Sequence, residues 1–162
     1  MRLVNEYDLS GEYGKCFIKS DFFIFDKEDY EKIKDYRWFL REGYPCANKD
    51  KTCKKMFFHR FIMNCPRNKV VDHINHNKLD NRKSNLRICS IAENSHNVVL
   101  SKNNTSGCKG VNFVKSANLW RATIQCNRKR MYIGSFKSKE EAIKARKEAE
   151  QKYWGEYAYK EV

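Results

Sequence analysis

Asp72 and His73 stand side by side after the short apolar run Val70-Val71, and the Asn-rich stretch 74–84 separates them from Asn85-Leu86-Arg87-Ile88. Consecutive side chains at a strand end point in different directions, so one of the pair can bind a metal ion while the other faces water. Asn85 opens the partner strand, within reach of the imidazole whose tautomer it can fix. Asn94 lies one turn into a following helix and can offer a carbonyl oxygen to the same ion. Only Asp72 supplies charge, which makes this a hard-oxygen site suited to Mg²⁺, or Mn²⁺, rather than Zn²⁺. Cutting a phosphodiester needs these parts: an activated water, a cation near the phosphorus, and stabilisation of the departing oxygen. Taken singly, an Asp-His pair is ordinarily structural and loop asparagines ordinarily make Asx-turns. The ordered set of four is what points to a site.

The elements that must position the set follow from local signals. Val70-Val71 and Leu86-Arg87-Ile88-Cys89 read as strands, and 75–84 as a polar loop with two turns. Ser90-Ile91-Ala92-Glu93 fits a capping box that opens a short helix. Upstream, 1–58 reads as a scaffold without a site. Cys16-Phe17-Ile18 and Phe22-Phe23-Ile24-Phe25 are its strands, Asp26 caps a short helix, and Gly43-Tyr44-Pro45 breaks the chain. Residues 100–107 form a polar linker. Beyond it, in 108–158, Trp120, Ala122 and Ile124 share one strand face, while Arg121, Thr123 and Gln125 share the other. Arg130, Tyr132 and Gly134 alternate likewise with Met131 and Ile133, around a turn at Asn127-Arg128. Ser138 and Glu141 form a second capping box, opening a helix that ends near Gly155. The expected fold is α+β: a three-stranded antiparallel sheet packed on one helix, preceded by the strand–loop–strand–helix unit.

Charge sharpens the partner. The chain carries +13, but residues 1–58 hold 12 basic and 11 acidic side chains, whereas 101–162 hold 14 and 6. Between Glu93 and Glu140 no acidic residue occurs, while nine Lys or Arg do. Such a stretch suits a polyanion, because neutralising phosphates releases condensed counterions. Asn112, Arg121, Thr123, Gln125, Arg130 and Tyr132 are candidate base-facing residues on the exposed sheet face; Arg128 and Lys129, at the turn, are candidate phosphate contacts.

Val71-Asp72-His73-Ile74-Asn75, Leu79-Asp80-Asn81-Arg82-Lys83-Ser84-Asn85-Leu86-Arg87-Ile88 and Asn94 resemble the HNH homing endonucleases of phages and group I introns. The resemblance implies a ββα-metal (His-Me finger) unit over 59–99, with His73 as general base, Asp72 and Asn94 as metal ligands, and Asn85 orienting His73. It implies phosphodiester hydrolysis giving 5′-phosphate and 3′-hydroxyl ends. His59-Arg60-Phe61 matches the family's His-Arg-Leu element, read as structural. His76 is a phosphate contact or nothing at all, and His96 and Asn97 are alternative helix ligands to Asn94. Lys109-Gly110-Val111, Trp120-Arg121-Ala122, Tyr132-Ile133-Gly134-Ser135-Phe136 and Glu140-Glu141-Ala142 resemble the APETALA2-like domain of plant ethylene-response factors. That resemblance lays the sheet in the major groove of duplex DNA.

Other classes fit less well. The seven cysteines show no C-x-x-C pair, so no structural zinc is expected, and reduced thiols in a cytoplasmic protein are. No apolar run is long enough to span a membrane. No Gly-rich phosphate cradle or nucleophile elbow suggests a small-molecule enzyme. The rivals are a non-catalytic DNA-binding regulator carrying a relic nuclease unit, and a nuclease directed at RNA or at structured nucleic acid. Monomer and homodimer are both open.

Overall fold

Aromatic residues at alternating positions set the first sheet of the computed structural model, which describes residues 5–19, 21–48, 54–95, 97, 100, 103–126 and 129–158. Strands β1 (Tyr7–Asp8), β2 (Gly14–Ile18) and β3 (Asp21–Phe25) pair antiparallel, turning Cys16, Ile18, Phe23 and Phe25 inward. A single turn, α1 (Tyr30–Ile33), follows. Next come β4 (Phe39–Arg41), β5 (Tyr44–Asn48) and β6 (Lys55–Phe57), an antiparallel meander, and then α2 (Phe58–Ile62). Strand β7 (Val70–His73) leads into the Asn-rich loop. The loop touches the first sheet through β8 (Asp80–Asn81), parallel to β3, and returns as β9 (Leu86–Cys89), antiparallel to β7.

One core serves both the expected scaffold, 1–58, and the segment after it. Phe58 stands edge-on to Phe23 and Trp38, with ring centroids 4.6 and 4.8 Å away, and Ile33, Ile62, Val71 and Leu86 pack around them. The buried Trp38 indole donates to the carbonyl of Ile33 at 3.0 Å, so its polar atom is satisfied. Asp26 differs from its expected role as a helix cap. It makes no side-chain cap bond and instead accepts from the backbone N–H of Lys83 at 2.7 Å, a partner 57 residues away that local reading could not supply. The described cysteines Cys16, Cys46, Cys65, Cys89, Cys108 and Cys126 are free thiols; Cys53 lies outside the described residues. Burial pushes the Cys16 thiol up to about 12, so it stays protonated.

The chain divides between Ile91 and Ala92 into two compact units, and α3 (Ile91–Asn94) spans the division. In the second unit, β10 (Val111–Val114), β11 (Leu119–Cys126) and β12 (Lys129–Phe136) form an antiparallel sheet on α4 (Lys139–Trp154). Val111, Ala122, Ile124, Ala142, Ala149 and Trp154 fill the space between sheet and helix. The capping box opening α4 is formed: Ser138 Oγ accepts from Glu141 N at 3.1 Å, and the Glu141 carboxylate accepts from Ser138 N. Of the expected linker, Ser101 and Lys102 lie outside the described residues. Its end folds onto the sheet module, with the buried Ser106 hydroxyl donating to the Cys108 carbonyl at 2.8 Å. No described helix is long and apolar enough to cross a membrane.

Strict alternation fails in β12. Ala122 pairs with Gly134 but Thr123 pairs with Tyr132, so Ile133 is an extra residue in a bulge. Gly134 therefore sits opposite the buried Ala122, not on the face of Tyr132, and Ser135 takes the exposed position opposite Arg121.

Gly110 is fixed by backbone geometry, with φ +81° and a notional Cβ only 2.3 Å from the carbonyl oxygen of Thr123. Gly110→Ala is expected to destabilise the second unit by at least about 2 kcal/mol, read by urea denaturation. An unchanged midpoint would show that the turn is not constrained.

Candidate active site and basic sheet

The loop joining β7 to β9 has few apolar anchors and is held by asparagines. Asn85 Oδ1 accepts from Asn75 N at 3.0 Å, while its Nδ2 donates to Asn75 Oδ1 at 2.9 Å and to the Asp80 carbonyl at 2.8 Å. Asn75 Oδ1 also accepts from Asn77 N, and Asn77 Oδ1 from Leu79 N, two successive Asx-turns. Asp80 is almost fully buried and bound by Arg82 through Nε at 2.7 Å and a terminal nitrogen at 2.6 Å. Burial pushes the Asp80 carboxyl up, but the bonds from Arg82 outweigh it and hold the group below its ordinary value.

The strand pair puts Asp72 opposite Arg87 and His73 opposite Leu86. The Asp72 carboxylate accepts from Arg87 at 2.7 and 2.9 Å, a buried ion pair across the ladder. His73 is also buried, and its Nε2 lies 3.4 Å from Asn81 Oδ1. Its ring meets His59 edge-on at 5.2 Å and Tyr44 at 5.9 Å between centroids. Burial pushes His73 below the ordinary imidazole value. The Asn81 bond and the carboxylates of Asp72 and Asp80 offset this only in part, and Lys78 adds to the lowering. The imidazole is therefore neutral at neutral pH, as an acceptor of protons must be.

Asp72, His73 and Asn85 thus come together in the first unit, whereas Asn94, at the end of α3, belongs to the second. Asn85 was expected to orient His73. All three of its side-chain bonds go to the loop, and Asn81 Oδ1 approaches the imidazole instead. Asn81 was missed because it faces His73 only once the loop folds back to pair with β3. His59, expected to be structural, packs its ring against His73. Two adjacent aromatic residues, Tyr44 after a chain break and Phe57 before His59, were the available signals.

In the second unit Asn112, Arg121, Gln125, Lys129, Arg130 and Tyr132 are exposed, with Gln125 opposite Arg130 and Asn112 opposite Arg121. Thr123 is half-buried, and its hydroxyl donates to the Gly110 carbonyl at 3.3 Å. Ser135, not anticipated, accepts from the Tyr132 hydroxyl at 2.9 Å. Arg128 and His96 lie outside the described residues. Among the described residues no group of three or more His, Cys, Asp or Glu is placed to hold a metal ion. Of the expected ligands, Asp72 is the only carboxylate, and Arg87 engages it.

The sequence profile of the HNH endonuclease family matches residues 63–96, the span that contains this hairpin and loop. Over 147 residues the chain is 31% identical to a mimivirus protein described as an uncharacterized HNH endonuclease, covering 86% of this chain and 74% of that protein. It is also 41% identical over 59 residues to Protein 3.8 of Escherichia phage T7, covering 36% of this chain and 49% of the relative. No solved structure matches the chain. The chain belongs to the HNH endonuclease family.

His59 Nδ1 is buried without a hydrogen-bond partner among the described residues. Burial, with His73 and Arg60 nearby, pushes its imidazole from 6.5 down to about 3. Between those values the unfolded chain binds a proton that the folded chain refuses, so stability falls as pH falls. His59→Phe keeps a ring and removes the titration. It should flatten the loss of stability between pH 6.5 and 3 by up to about 1.4 kcal/mol per pH unit, read from urea midpoints. Parallel curves for parent and variant would refute the buried neutral imidazole.

Proposed function

We propose that this protein is a metal-dependent endonuclease of the homing, site-recognising type that hydrolyses phosphodiester bonds in duplex DNA in the cytoplasm. The observation that carries the reading is the buried, neutral His73 imidazole beside the Asp72 carboxylate, within the span matched by the HNH profile. The order β7, polar loop, β9, α3 supports a ββα-metal unit over 59–99. The sheet β10–β12 on α4, with its row of exposed Arg, Lys, Gln and Asn, supports an APETALA2-like module over 108–158 laid in the major groove.

In this reading His73 accepts a proton from the attacking water. The water oxygen bonds to phosphorus, the bond to the 3′-oxygen breaks, and the leaving oxygen takes a proton from solvent, giving 5′-phosphate and 3′-hydroxyl ends. Asp72 and Asn94 would hold Mg²⁺, or Mn²⁺, which when bound neutralises charge on the phosphate and the leaving oxygen. Asn81 holds the imidazole from its Nε2 side, and Asn85 fixes the loop that carries Asn81. The buried His59 and the half-buried Tyr44 keep bulk water from one side of the ring. Arg121, Gln125, Arg130, Tyr132 and Asn112 read the duplex; Arg128 and Lys129 hold phosphates, and Thr123 acts through the Gly110 turn.

A non-catalytic DNA-binding regulator is the second reading. What favours it is the Asp72–Arg87 ion pair, which engages the carboxylate proposed for the metal. Plasmid cleavage in Mg²⁺ against EDTA separates the two. His73→Ala is expected to slow cleavage by roughly 10²–10⁴-fold. Asp72→Ala should abolish it while leaving duplex binding in gel shifts largely intact, because phosphate contacts in the second unit supply most of the affinity. A His73→Ala protein that cuts at the parental rate would end the nuclease reading.

A further inference from the structure

Lys78 leaves the Asn-rich loop between β7 and β8, and its contacts fix where the ammonium goes. Its carbonyl accepts from Asn81 Nδ2 at 3.2 Å, so the residue that faces His73 also holds the backbone of Lys78. Its Nζ donates to the Glu42 carbonyl at 3.0 Å and stands 4.2 Å from the centroid of the Tyr44 ring, which also meets Phe57, His59 and His73. The tip of the β4–β5 hairpin is shaped for this approach. Glu42 and Gly43 both adopt left-handed backbone, φ +55° and +80°, and a Cβ at position 43 would stand 3.3 Å from Cδ of Lys78.

The partners of this ammonium are a carbonyl dipole and an aromatic face, both uncharged. Among the described residues no carboxylate forms an ion pair with it. The neighbouring cations Arg82, Lys83 and Arg87 are each engaged by acidic side chains. Lys78 is also solvent-exposed, so an incoming anion reaches it without breaking a salt bridge. A flexible stem carrying a compact point charge suits a phosphate oxygen that moves as the phosphorus changes geometry.

We propose that Lys78 is a further catalytic residue, contacting a non-bridging oxygen of the scissile phosphate and stabilising the charge that builds there as water adds. Lys78 transfers no proton; the bonds made and broken are those of the hydrolysis. The inference rests on the reading of the first unit as a hydrolytic site.

Lys78→Gln and Lys78→Arg in the full chain test it, in single-turnover cleavage of saturating plasmid DNA with Mg²⁺. The Gln variant is expected to cleave roughly 10²-fold more slowly, as when one charge-stabilising donor is removed, and the Arg variant to recover about tenfold or more of that loss. A second readout needs no cleavage. In a His73→Ala background, Lys78→Gln should reduce the salt dependence of duplex binding by about one phosphate contact. A Gln variant within about threefold of the parent rate, or one that Arg does not rescue, overturns the catalytic role. If the parent itself shows no Mg²⁺-dependent cleavage, the nuclease reading fails, and the salt slope alone decides the phosphate contact: an unchanged slope overturns that as well.

Discussion

Asn85 has one amide, and all three of its bonds go to a loop that begins ten residues earlier. Two hydrogens and one oxygen meet the Asn75 side chain, the Asn75 backbone and the Asp80 carbonyl. The group is buried, so leaving any of these atoms unpaired would cost about 1–3 kcal/mol. The stretch 74–84 therefore cannot drift from the hairpin that flanks it. With the loop folded back, Asp80 and Asn81 reach β3, Asn81 faces His73, and Lys78 is delivered beside Tyr44. The placement of Asn81 beside the imidazole and of the cation at the rim depends on this one side chain.

A two-stranded hairpin is at best marginally stable in water. Here β7 and β9 borrow their stability from the aromatic core, because Val71 and Leu86 pack into the cluster of Phe23, Phe25, Trp38 and Phe58. The N-terminal strands are thus part of the site's construction rather than an appendage. They also present two of its walls: Tyr44 from the start of β5 and His59 from α2 stand against His73. Burial is the largest influence on the imidazole, and it keeps His73 neutral although two carboxylates act in the opposite direction.

Local patterning made much of this legible. The strands at 70–73 and 86–89, the capped helix after Ser138 and the inward-facing Trp120, Ala122 and Ile124 all follow from period and capping residues, which act within a few positions. What escaped was long-range. Asp26 looked like a helix cap because caps are read locally, yet its partner is Lys83. Asn85 looked like the orienting group because it adjoins the strand carrying its mate; three loop bonds claim it instead, and Asn81 faces the ring. Ser135 was hidden by a bulge, since one inserted residue exchanges the faces of everything beyond it.

In the proposed reading the chemistry and the affinity belong to separate surfaces, and the charges of the first unit support that division. Its buried carboxylates are matched from one short stretch: Asp80 by Arg82, Asp29 by Lys83 and Asp72 by Arg87. Such pairs hold groups in place but leave little net field, and Lys78 at the rim carries a charge matched by no described carboxylate. A buried proton acceptor is best held where the charges around it are compensated. Gripping a polyanion requires the reverse, exposed cations with no competing carboxylates. The row of Arg121, Lys129 and Arg130 meets the second demand because its face is solvent-exposed. One surface could not satisfy both conditions, and in the proposed reading the chain divides them between two units.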